Sequence, residues 1–332
     1  MVTAKHNGAD VKRNGANVKR NGANVKRNGA GIRAESKAQR LERLKGLDPE
    51  RDAEEIHYTT VCFDFPWDYQ RALEFALFRT YCVPSIADVL VQSDQFRREP
   101  QKRYDDTSLL MVLPLEHGLD SRRGKDALKV INAQHARYDI TNDDMLYVLG
   151  AFIFEPLEWI DRFGWRRLLP VEREAAFHYY RAFGRRLGIR DIPETMGEFR
   201  GWYDAYEERN FRANPSSAVI GKYTVDLYCS WFPGFLAPVV KRSVESLIGP
   251  SMTRCFGFRR ANPVLREALE LGLRIRGMAL RPTPSRKKSK FPHTAANTLT
   301  YPGFDDDSNV LAMGAVPLRE GAVVGGRGCP VH

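Results

Sequence analysis

The chain has 332 residues, 43% of them hydrophobic, enough for a sizeable core in one large domain or two smaller ones. Its 18 Phe, 13 Tyr and 5 Trp exclude a chain that is disordered throughout. The net charge is +10, but residues 1–47 hold twelve Lys or Arg against Asp10, Glu35 and Glu42, leaving about +1 elsewhere; the basic character reads as that of a tail, and specific nucleic-acid binding is not expected.

In chain order, residues 7–13, 14–20 and 21–27 read NGADVKR, NGANVKR and NGANVKR. The Asn-Gly pairs break helices, and no aromatic offers a stacking platform for bases, so residues 1–34 are expected to form a disordered basic tail. Met1 leads into these polar repeats and not into an apolar run, so no secretory leader is expected. Residues 35–64 form a lead-in: a short charged helix from Glu35 to Leu47, closed by Asp48-Pro49, then His57 to Pro66, whose bulky and β-branched residues predict an extended or irregular segment. From Trp67 the chain turns helical. Tyr69 to Tyr81 places Leu73, Ala76, Leu77 and Thr80 on one face, Pro84 breaks it, and Ser85 is placed to cap Ile86 to Val91. Asp120 or Ser121 can cap the next helix, and Asn142 the one after, with Asp143 and Asp144 in its first turn. Met145 to Phe163 is apolar nearly all round in its first half and belongs at the centre of the core, with a kink at Pro156. Further helices are expected over Val171–Leu187, Pro193–Tyr206, Lys222–Trp231, Val239–Ile248 and Pro263–Leu280. Arg281 to Lys290 reads as a basic linker, and the Gly-, Asp- and Pro-rich sequence after Phe291 as a second disordered tail. The longest uninterrupted apolar piece, Met145 to Phe154, is about half of what a bilayer requires, so no transmembrane span is expected. Five cysteines, at 62, 82, 229, 255 and 329, show no metal-type spacing, and their odd number favours free thiols in a reducing, intracellular compartment.

The stretch from Lys102 to Arg167 organises the rest. Leu128, Ile131, His135 and Tyr138 fall at helical spacing, so an imidazole shares an inward stripe with apolar side chains. A buried imidazole needs a partner for each nitrogen: a carbonyl or carboxylate in an ordinary core, or a metal. Asp143 or Asp144 is a candidate acceptor for its Nδ1 proton. Arg103 and Thr107, four residues apart, lie on one face of a helix and suit a propionate or a polar oxygen species; a surface cation and a helix cap are the plainer alternatives. His178 is a second candidate for an axial ligand or, more simply, a structural residue. No Cys-x-x-Cys-His, His-Glu-x-x-His, nucleotide-binding glycine loop or nucleophile elbow occurs.

Arg103-x-x-x-Thr107, Ile131-Asn132-Ala133-Gln134-His135-Ala136-Arg137-Tyr138, Asn142 to Tyr147 and Glu155 to Ile160 together resemble the MpaB and rubber-oxygenase family, the fungal MpaB branch above all. The likeness runs from about Phe65 to Asn214 and continues through Trp165-Arg166 and Trp202 to Glu207. It implies an all-α fold, a single large helical domain over 65–280 flanked by tails at 1–34 and 281–332, with one haem b between helices. It implies His135 as the axial iron ligand, Arg103 and Thr107 in the distal pocket, and O2-dependent attack on a C=C bond of an isoprenoid chain. The rubber oxygenases have a lysine just before this threonine; here the residue is Asp106. By rough distance Asp88 is the candidate for their upstream base. The expected function is therefore a haem-dependent oxygenase acting on a hydrophobic small molecule with O2. A haem-binding or haem-sensing protein without turnover, and a helical scaffold with a basic interaction tail, are the alternatives. The expected location is cytoplasmic, or peripheral at the endoplasmic reticulum through the basic tail, where each basic residue near an anionic surface contributes about 1 kcal/mol.

Overall fold

A computed structural model describes residues 35–290 and 298–316, and the expected tail at 1–34 lies outside them. Among the described residues the protein is all-α, with fourteen α-helices and no strand. The longest, α8 (Asn142–Phe163), runs through the core with Leu146, Tyr147, Leu149, Ile153, Leu157 and Ile160 buried, as its nearly all-round apolar sequence requires. It packs along α3 (Pro66–Thr80) on one side; α9 (Pro170–Arg186) and α10 (Met196–Asn210) close its other faces. At Gly150 a Cβ would come within 2.7 Å of the Tyr203 ring, so α10 sits closer to α8 there than any side chain would allow.

Around this centre, α1 (Lys37–Lys45) begins at a Ser36–Gln39 capping box, and α2 (Ala53–Thr59) lies on α9. The short α4 (Pro84–Ser93) and α5 (Gln95–Arg98) lead to α6 (Pro100–His117), which pairs with α7 (Arg122–His135). Ser121 caps α7, accepting from Gly124 N at 2.9 Å, as the sequence predicts. A C-terminal layer consists of α11 (Pro215–Ser230), α12 (Ala237–Leu247), α13 (Pro250–Phe256) and α14 (Pro263–Leu280). Cys62, Cys82, Cys229 and Cys255 are all free thiols.

Four local expectations are corrected. The segment His57–Pro66 is neither extended nor irregular: α2 continues into a π-helical turn at Thr60–Asp64. Its residues are buried on every side, so β-branching gives no strand alternation, and their polar groups are held by tertiary partners. Thr60 donates to Glu172 at 2.7 Å, and Asp64 takes ion pairs from Arg40 and Arg166, each at 2.6 Å. Ser85 does not cap α4, which starts at Pro84; its hydroxyl donates to Asp144 at 2.9 Å. The cap of α8 is Thr141, whose hydroxyl accepts from Asp144 N at 3.0 Å, not Asn142. The sequence after Phe291 is ordered over residues 298–316, because buried acids on α6 hold it: Asp105 accepts the backbone N–H groups of Leu299 and Thr300, and Asp106 accepts the Tyr301 hydroxyl. Val310 and Met313 then pack against Leu109, Leu113 and Val130.

Candidate active site

His135 is the last residue of α7, and Ile131 and Tyr138 join it in lining one cavity, as the helical stripe predicts. The cavity holds about 1420 Å³ of atom-free space, part of it open to solvent, and is walled by α3, α4, α6, α7, α8, α9 and the 298–316 segment. Most of its lining is apolar, including Leu77, Val89, Met111, Met145, Phe152 and Phe183. Neither of the two main cavities is lined by another histidine.

The ring is set up as a neutral base. Its Nδ1 is buried and finds no hydrogen bond among the described residues. A helix C-terminus alone favours imidazolium, yet burial, helped by the nearby Arg103 guanidinium, pushes the His135 pKa down to about 4. The predicted acceptor is otherwise engaged: Asp144 lines the same cavity, but its Oδ1 takes the Ser85 and Tyr206 hydroxyls, while Asp143 is exposed. A buried nitrogen left without a partner costs about 1–3 kcal/mol, so an acceptor or a metal at this ring would be stabilising.

Arg103 and Thr107 do share a face of α6, one turn apart. The Arg103 guanidinium donates to the Thr107 hydroxyl, which itself donates to the Arg103 carbonyl at 2.9 Å. Arg103 lies 5.8 Å over the Phe96 ring and has no carboxylate partner among the described residues. Asp106, between them, is buried and fully engaged: it pairs with Lys102 at 2.7 Å and accepts from Tyr301. Asp106 therefore fastens the C-terminal segment, of which Gly314 and Ala315 complete the cavity wall.

A second cavity, with about 1040 Å³ of atom-free space that includes some open to solvent, adjoins the first, and Leu77, Tyr81, Arg103, Thr107, Met111 and Phe152 belong to both linings. It follows α6 from Pro100 to Leu115, roughly 22 Å at the helical rise. Arg103 and Thr107 thus form part of the partition between a chamber containing a free imidazole and an elongated apolar one.

Sequence reasoning missed the polar fittings of the second chamber. Glu74 lines it, accepts from the Tyr104 hydroxyl and pairs with Arg71, each at 2.6 Å; burial raises its carboxyl to about 7. The available signal was a carboxylate inside the otherwise apolar run Leu73 to Phe78. Tyr69, Tyr179 and Tyr180 line the same chamber near Cys62, with Tyr69 bridging Tyr180 and His57 Nε2 (3.2 Å for the latter). These residues come from α2, α3 and α9, so no local pattern announces them. Two candidates fall outside. Asp88 is exposed and accepts from Asn214 at 3.3 Å, and His178 rests edge-on against Phe177 and lines neither cavity.

The sequence pattern of the family described as ER-bound oxygenase mpaB/B'/rubber oxygenase, catalytic domain, matches residues 72–280, more than half of the chain. Among curated proteins, an ER-bound oxygenase mpaB of Penicillium roqueforti (strain FM164) is 33% identical over 167 residues, 48% of this chain and 56% of the relative. The ER-bound oxygenase mpaB' of Penicillium brevicompactum is 23% identical over 273 residues, 77% of this chain and 64% of the relative. An mpaB of the same species is 33% identical over 172 residues, covering 46% and 44%. The chain therefore spans roughly half to two-thirds of the length of these relatives. Arg103, Thr107 and His135, which carry the resemblance in the sequence, all lie within the matched residues and converge on one cavity. This chain belongs to the mpaB and rubber-oxygenase catalytic-domain family.

Proposed function

We propose that the protein is a haem b-dependent oxygenase that oxidises or cleaves a C=C bond of a hydrophobic, isoprenoid-like substrate with O2. The observation that carries the reading is the neutral, unpartnered His135 imidazole in a largely apolar cavity that also receives an unpaired arginine. Among the described residues no three His, Cys, Asp or Glu side chains gather to hold a bare metal ion. One imidazole suffices where a macrocycle supplies the remaining donors, and the apolar walls suit a porphyrin. His135 would hold the iron, and Arg103 would meet a propionate or a polar oxygen species, with Thr107 fixing its guanidinium. When bound, the haem would supply activation of O2.

The chain's own residues do the rest. Leu73, Leu77, Met111, Val112, Leu115 and Phe152 exclude water and hold an extended apolar chain against the Arg103–Thr107 partition. Glu74, whose carboxyl titrates near neutrality, can hold or release a proton at its Oε1, where the Tyr104 hydroxyl already bonds. The relatives are named as ER-bound, and peripheral association with the endoplasmic reticulum membrane is proposed here too. No helix among the described residues is long and apolar enough to cross a bilayer.

The test is a haem titration of the purified full chain followed by O2 uptake with isoprenoid alkenes. The wild type should develop a Soret band that His135→Ala largely loses while keeping its helical circular dichroism. Equal haem occupancy in a folded His135→Ala variant removes the ligand assignment. Full haem loading with no alkene-dependent O2 uptake leaves a haem-binding protein without this reaction.

A further inference from the structure

The +1 left to the chain beyond residue 47 conceals two large opposite parts, with a further −2 from residues 291–332. Residues 48–230 carry twenty-four Lys and Arg against thirty-one Asp and Glu, a net −7. Residues 231–290 carry thirteen Lys and Arg against only Glu245, Glu267 and Glu270, a net +10. Of those three acids, Glu245 and Glu270 are buried, Glu245 paired with Arg242 and Glu270 with Arg162 and Arg266. The surface of this layer is therefore almost purely cationic. Arg259, Arg260, Arg274, Lys287, Lys288 and Lys290 are all exposed.

The same layer turns apolar side chains outward. The residues that α14 buries are Glu270 and Gly277; at Gly277 the helix backbone comes so close to α8 that a Cβ would lie 2.5 Å from the Phe163 carbonyl. Its exposed face carries Val264, Leu271, Ile275 and Met278, which are 77%, 55%, 52% and 51% exposed. With Ala268, these residues recur every three or four positions and make a stripe roughly 21 Å long. The adjoining turn into α12 adds Phe235 at 80% and Val239 at 61%. A helix facing water is polar on its outer side; this one buries Glu270 and turns four large aliphatic side chains outward, with Glu267 as the one exposed acid. Contiguous apolar surface of this kind marks a contact with something other than water.

We propose that the α12–α14 layer is a membrane-docking surface that lies on an anionic lipid bilayer, with α14 parallel to the bilayer plane. A one-sided apolar stripe rimmed by lysine and arginine is the pattern of an interfacial helix: the stripe enters the acyl boundary while the cations meet the headgroup phosphates. The net charge selects a negative surface over a second copy of this chain, whose matching layer would bring +10 against +10. The placement also suits an apolar substrate. Thr224, Leu227 and Tyr228 of α11 line the elongated chamber, and the chain passes from there directly into the turn carrying Phe235. This inference deepens the membrane association proposed above and rests on it; it does not depend on haem or on oxygenase turnover.

The experiment is co-sedimentation of the full chain with vesicles of phosphatidylcholine alone and of phosphatidylcholine mixed with phosphatidylserine. The wild type should bind the mixed vesicles, more weakly in high salt, and bind the neutral ones poorly. Leu271→Ser/Ile275→Ser and Phe235→Ser change exposed positions and should keep the fold, and the double variant should lower the bound-to-free ratio about tenfold or more. Lys287→Glu/Lys288→Glu should weaken binding to the mixed vesicles only. If the wild type binds no vesicles, the membrane association itself falls. If it binds but the serine variants bind equally well, while deletion of residues 1–34 abolishes binding, the association stands and this surface is wrong. A lipid-free dimer that the serine variants convert to monomer would assign the stripe to a second copy and overturn the proposal.

Discussion

His57 and His135 lie in two regions of one helical core and have the same electrostatic cause acting on them, yet their surroundings differ. Burial holds both neutral, His57 down to about 3 and His135 to about 4. His57 is enclosed by Tyr69, Tyr179 and Tyr180, with its Nε2 on the Tyr69 hydroxyl and its ring tilted by 31° against Tyr179, 4.7 Å between centroids. His135 faces open space and has an Nδ1 with no partner. Burial alone therefore says nothing about role. What separates a structural imidazole from a ligand is whether the fold supplies partners for it or leaves room for one to arrive.

The largest effect that can sharpen this contrast is on haem binding. His135→Ala should weaken haem affinity by about 100-fold or more, whereas Tyr69→Phe, in the enclosed region, should leave it unchanged, as read by the Soret band. Comparable losses in both variants would erase the distinction. Because His135 stays neutral down to about 4, haem affinity should remain level between pH 8 and 5 and collapse only below that.

Stability against pH comes next. Between 6.5 and about 3 the unfolded chain binds a proton that folded His57 refuses, so the contribution present above 6.5 is lost as the pH falls. His57→Phe should flatten this acid limb by an amount on the order of a few kcal/mol, measured by urea unfolding at several pH values. Glu74 works in the other direction. Its raised carboxyl contributes fully below 4.5, and the contribution fades as the pH rises from there through about 7, so Glu74→Gln should flatten the decline across that window. Tyr69→Phe leaves the His57 ring without its partner and should cost about 1–3 kcal/mol in the same assay.

The smallest effect concerns the segment that closes the His135 chamber. Asp106→Asn removes one charge from the Lys102 pair and weakens the Tyr301 bond, at a cost of about 1 kcal/mol. Faster amide exchange confined to residues 298–316 is the expected result; unchanged exchange there would show that Val310 and Met313 hold the segment without it.

Much of the helical layout could be read directly. The cap at Ser121, the proline that opens α14 and the Leu128–Ile131–His135–Tyr138 stripe are local signals, since each depends on residues within one or two turns; α11, by contrast, begins at Pro215, seven residues before the expected Lys222. The same locality placed Arg103 beside Thr107. It failed at His57–Pro66, where side chains from α1 and α9 settle the backbone, and after Phe291, where Asp105 and Asp106, almost two hundred residues earlier, supply the anchors. It also failed at α14, whose period was plain but whose outward-facing side was not: periodicity says which residues share a face, not which face meets the core.

By itself, the sequence determined most of the helices, the Ser121 cap and the three residues of the family pattern, because helix formation and i,i+4 neighbours are fixed by short-range geometry. Only the tertiary structure decided that Asp144 is taken by Ser85 and Tyr206, that Asp106 fastens a segment, that Asp88 is excluded and that His135 Nδ1 has no partner among the described residues. Whether a buried polar group is satisfied depends on side chains brought from distant helices, and no local pattern encodes that.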